Sequence, residues 1–117
     1  MKKLLTILFL IPFLSTGDVF PGTGSNVDRS GLTAWVNPGN ITSDDANDAT
    51  CNGAGSDYLV GSNFGFSIPA TATIQGVTVK VEASEHSAGT ESFSAQLQNA
   101  TATLFGDVKS NTLNGTG

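Results

Sequence analysis

NFGFSIPATATIQGVTVKVEA, residues 63–83, is the stretch that decides the fold class. In its second half Val77, Val79, Val81 and Ala83 alternate with Thr78, Lys80 and Glu82. Successive side chains of an extended chain point to opposite faces, so this period of two predicts a strand with one apolar and one polar face. Phe64, Phe66 and Ile68 repeat the pattern upstream. Pro69 then ends the pairing, because it has no N–H to donate. Gly76, between Ile74 and Val77, marks a bulge or a close backbone approach.

Upstream, Leu32–Val36 (LTAWV) is a short strand candidate, followed by the turn signal Asn37-Pro38-Gly39-Asn40. Residues 41–55 form a long polar loop. Asp57–Val60 opens a further strand that Gly61-Ser62-Asn63 interrupts. Beyond a polar turn over 84–91, Ser92–Gln98 alternates again, with Phe93, Ala95 and Leu97 inward. Asn99-Ala100 turns the chain into a strand over 101–105, and after Gly106 the pattern fades. The expectation is five or six strands in an antiparallel β-sandwich. Without a helix to serve as a crossover, a parallel α/β fold is excluded.

The first seventeen residues read as a secretory signal peptide. Lys2 and Lys3 precede the apolar run Leu4–Leu14, which is too short to span a bilayer. Ser15-Thr16-Gly17 supplies small residues for cleavage before Asp18. Three segments follow: a signal peptide over 1–17, a flexible lead-in over 18–31 and a partial β-sandwich domain over 32–117. Export places the chain outside the cell or on its surface, with a virion as the alternative, and with no membrane insertion after cleavage.

Without Lys2 and Lys3, three basic residues face ten carboxylates, a net charge near −7. Phosphate binding needs clustered Lys and Arg, so nucleic acid is excluded as a partner. Cys51 is the only cysteine. It cannot form an intrachain disulfide, and it has no neighbouring His to activate it.

Trp35-Val36-Asn37-Pro38, Asp44-Asp45-Ala46, Asp57-Tyr58-Leu59 and above all the 63–82 stretch carry a resemblance. In this order they resemble jelly-roll-like β-sandwich modules of uncharacterised secreted bacterial proteins and of phage virion or tail-associated proteins. The resemblance covers roughly residues 32–104. It implies a surface module for adhesion, carbohydrate contact or virion structure, without catalysis. Modules of that kind run on for several strands beyond the position of Thr103-Leu104-Phe105. The expectation is therefore a sandwich incomplete at its C-terminus, with an open sheet edge available for self-association.

Candidate sites are few. Asp44, Asp45, Asn47 and Asp48, with Asp57 from the following strand, supply the oxygen ligands that Ca²⁺ takes, about six to eight in number. Asp and Asn are equally the residues of solvated turns. Trp35 and Tyr58 could stack on a sugar or pack in the core. His86 stands beside Glu85 in a polar turn, where a lone His is ordinarily solvated. Asn40, Asn99 and Asn114 open glycosylation sequons. No convergent catalytic set is present, so the chain is not expected to be an enzyme. The function expected is surface attachment or carbohydrate recognition, toward a glycan or an assembly partner. The alternatives are a structural protein of a virion, tail or surface assembly, and an ancillary module of a larger hydrolase.

Overall fold

The computed structural model describes residues 18–84 and 90–114. Residues 1–17, read from sequence as a signal peptide, and the Glu85–His86 pair lie outside the described residues. The chain divides into two compact units, Met1–Ala72 and Thr73–Gly117. The described residues are mostly extended, with four strands in two antiparallel two-stranded sheets and no α-helix.

In the first unit β1 (Thr23–Val27) pairs antiparallel with β2 (Tyr58–Ser62), from Thr23 opposite Ser62 to Val27 opposite Tyr58. β1 lies in the segment read from sequence as a lead-in. Its composition, Thr-Gly-Ser-Asn-Val, has no alternation, and it becomes a strand because β2 offers it a ladder. Gly24 and Gly61 stand opposite each other in this register. The 3₁₀ turn Pro38–Thr42 lies over that pair. A side chain at Gly24 would run into the Pro38 carbonyl oxygen and come within 2.7 Å of Ile41 Cγ1. Two facing glycines thus make the ribbon thin enough for the turn to rest on it.

The turn is the one signalled by Asn37-Pro38-Gly39-Asn40. Asn37 takes the left-handed conformation (φ 52°), which Asn tolerates better than most residues. Asn40 N–H closes onto the Asn37 carbonyl at 3.0 Å.

LTAWV is not a continuous strand. It is pinned at two points, Thr33 to Ser56 and Val36 to Thr50. Val36 and Thr50 exchange both backbone hydrogen bonds, at 2.8 and 3.1 Å.

The largest correction falls on residues 63–84, which form no strand. Positive φ at Asn63 (57°) and Gly65 (67°) breaks the extended run after β2. Ala72 N–H turns back onto the Pro69 carbonyl at 2.9 Å. From Thr73 onward the alternation is present, but no described strand pairs with it, and alternation without a partner makes no sheet. Phe66 is 55% exposed and Val79 56%, so neither is the core residue that the strand reading requires. Among the described residues no apolar side chain is fully buried.

In the second unit β3 (Thr90–Gln98) and β4 (Leu104–Asn114) form an antiparallel hairpin. Phe93, Ala95 and Leu97 are half-buried while Ser94, Gln96 and Gln98 are exposed, as the alternation predicts. β4 starts later and runs further than the 101–105 strand read from sequence, because β3 supplies its ladder to the end. Between the pairs Ala95–Lys109 and Leu97–Phe105 the register shifts. Gly106, Asp107 and Val108 there stand opposite Gln96 alone, a bulge in β4. Gly106 takes φ 71°, and Gln96 Nε2 donates to its carbonyl at 3.0 Å.

The hairpin loop is built by Asn99. Its Oδ1 accepts from Thr101 N (3.0 Å), Thr101 Oγ1 (2.8 Å) and Thr103 N (2.9 Å). Ala102 N–H donates to the Asn99 carbonyl and Asn99 N–H to the Thr103 carbonyl. Ala102 occupies the left-handed position (φ 59°) where a loop of this type favours glycine.

Candidate functional site

Three residues singled out from the sequence, Trp35, Asp57 and Tyr58, come together at the start of β2. Asp57 is the one fully buried polar residue among those described, 4% exposed. Every polar group it has is matched. Asn26 Nδ2 donates to Oδ2 at 2.8 Å, and the Arg29 backbone N–H to Oδ1 at 2.9 Å. Its own N–H donates to the Thr33 carbonyl at 2.9 Å, and its carbonyl accepts from Trp35 Nε1 at 2.9 Å. Asn26 closes the circuit, because its Oδ1 accepts from the Trp35 backbone N–H at 2.8 Å.

Asn26, next to last in β1, is set by the β1–β2 register opposite Leu59, beside the end of the ribbon where Asp57 enters. Arg29 follows β1 and reaches back twice. Its Nη1 donates to the Ser56 carbonyl at 3.2 Å, and its guanidinium lies 4.7 Å from the centre of the Tyr58 ring. A cation over an aromatic face is attracted by the ring quadrupole. The Asn26 side-chain donor, then the Arg29 backbone N–H, hold the Asp57 carboxyl below its ordinary value, and the Arg29 charge adds to this against the opposing effect of burial.

This arrangement closes the fold. Each carboxylate oxygen of Asp57 is engaged by one N–H donor. The acidic loop is organised separately. Asp45 Oδ1 accepts from Asn47 N–H at 2.7 Å and its Oδ2 from Ser43 Oγ at 3.0 Å. The Asn47 backbone donor, then Ser43, lower its pKa. Asn40 Nδ2 donates to the Asp48 carbonyl at 3.1 Å. Asp44, Asp45, Asn47 and Asp48 are all exposed, and the described residues include no group of three or more His, Cys, Asp or Glu placed to hold a metal ion.

Trp35 is half-buried, with its indole N–H committed to Asp57. Tyr58 is 50% exposed, with one ring face beneath Arg29. Cys51 is a half-buried free thiol whose Sγ lies 3.5 Å from the Thr33 carbonyl. The described residues include no helix long and apolar enough to cross a membrane.

Asn26 and Arg29 went unnoticed in the sequence. They lie 31 and 28 residues from Asp57, in a segment without periodicity. The available signal was chemical, an isolated Asn and Arg ahead of a strand that begins with Asp. No family model, curated protein or solved structure matches the chain.

Proposed function

We propose that the chain is an exported, non-catalytic β module that works by assembly, as a structural subunit of a virion, tail or cell-surface layer. One observation carries this: the alternating apolar segment over residues 64–81 is laid out on the surface. Ile68 is 46% exposed, Ile74 62%, Val77 60% and Val81 48%. Apolar side chains left exposed in such number mark a contact site, and an alternating segment without a ladder can be taken up by strand addition. In this reading each two-stranded ribbon gains its further strands from neighbouring chains. The signal-peptide pattern of residues 1–17 supports export.

Carbohydrate recognition has less support. Trp35 commits its indole N–H to the Asp57 carbonyl and Tyr58 one ring face to Arg29, and sugar stacking wants an open aromatic face.

Sedimentation velocity on the full chain across a wide concentration range tests assembly. Larger species are expected at high concentration, lost in Phe66→Ser and Val79→Asp variants that keep the wild-type circular dichroism. A monomer at every concentration that is retained on a glycan array overturns the proposal.

A further inference from the structure

We infer that the occupant of the exposed, alternating segment around Val81 is the same segment of a second copy, paired antiparallel about Val81. This rests on the assembly reading above and adds a partner and a register to it. Residues in directly opposed positions of a sheet share a face, so a self-pairing must match odd positions with odd and even with even, or it sets Val against Lys. Among such registers, centring on Lys80 opposes two lysines and centring on Glu82 opposes two glutamates.

Centring on Val81 sets Lys80 opposite Glu82, and the two-fold axis makes the pair twice. On the same polar face Thr78 meets Ser84. On the other face Val81 meets Val81 and Val79 meets Ala83, small side chains that fit the closer spacing of an antiparallel pair. Parallel in-register pairing again opposes like charges. Centring on Val79 pairs Val77 with Val81 but sets Lys80 against Thr78 and Glu82 against Gly76; centring on Val81 places Val77 opposite Glu85 at the end of the ladder and is the register that joins the opposite charges.

Residues 73–84 belong to no described strand and are exposed throughout. Lys80 already makes an interaction inside its own chain, so the pairing exchanges one partner for another.

Charge exchange tests the register on the full chain. Lys80→Glu alone opposes carboxylates, and Glu82→Lys alone opposes ammonium groups. Reversing two cross-strand charge pairs should weaken self-association roughly tenfold or more. An equimolar mixture of the two single variants restores both pairs and should give a heterodimer of near wild-type strength by sedimentation. The double variant, with both changes in one chain, should self-associate like wild type, which shows that the substitutions do not unfold the protein. If wild type assembles but neither single variant weakens it, or the mixture does not recover, the register is overturned and assembly stands. If wild type stays monomeric at every concentration, both are overturned.

Discussion

Asn26 bridges the Asp57 carboxylate and the Trp35 backbone, donating to the first at 2.8 Å and accepting from the second at 2.8 Å. One amide thus fastens the ribbon of β1 and β2 to the LTAWV segment. In a unit without a fully buried apolar side chain among its described residues, directional polar contacts fix the geometry where packing does not.

Asn26→Ala should therefore cost about 1–3 kcal/mol, since it strips partners from both the Asp57 carboxylate and the Trp35 N–H. Urea unfolding followed by Trp35 fluorescence measures it. Ser43→Ala, which removes an exposed hydroxyl bond to Asp45 in the same unit, is the control and should change stability by no more than a few tenths of a kcal/mol. Equal losses in the two variants would count against the bridge.

Acid should loosen the first unit through Asp57. Its folded pKa is depressed, so the carboxylate contributes stability that is fully present above the unfolded value, near 3.8, and is lost as pH falls through the lower folded value. Trp35 fluorescence should hold steady from neutrality to about pH 5 and change at more acid pH. Asp57→Asn should be less stable at neutral pH and should flatten the acid limb. An acid limb identical in wild type and Asp57→Asn would assign the transition to other carboxylates.

Gly24→Ala should displace the 3₁₀ turn, because the added methyl meets the Pro38 carbonyl. Overpacking of this kind costs about 1–3 kcal/mol. Gly39→Ala, in the same turn but with open space around the new Cβ, should be close to neutral. Thermal melts of the two variants side by side give the comparison, and similar melting points would remove the glycine pair as the seat of the turn.

Ala102→Gly should strengthen the β3–β4 hairpin. A left-handed L-residue costs roughly 1–2 kcal/mol, and part of that gain is offset by the greater freedom of glycine in the unfolded chain. Amide exchange across Phe93–Leu97 should slow. Faster exchange would mean that the loop prefers a side chain at this position.

Local signals in the sequence were legible and pairing was not. The turn at Asn37–Asn40, the inward set Phe93, Ala95 and Leu97, and the turn at Asn99 were all read correctly, because each depends on residues within a few positions. β1 was invisible, since Thr-Gly-Ser-Asn-Val is a strand only by virtue of a partner some 35 residues away. Residues 77–83 failed in the opposite sense: they have the best alternation in the chain and no described strand to join. The same division holds at the site. Trp35, Asp57 and Tyr58 stand out by residue type, whereas Asn26 and Arg29 acquire a role only when β1 pairs with β2.

The bulge at Gly106–Val108 carries a consequence for how this chain can vary. Three residues opposite one amount to a net insertion of two, and two is the period of the strand. Phe105 and Lys109 consequently stay on one side of the hairpin despite the break in register between them. Length changes here are quantised. Removing a pair of residues would restore an even ladder and leave every side chain on its own side. Removing one would turn the whole of 109–114 over. Related chains should differ at this place in even steps.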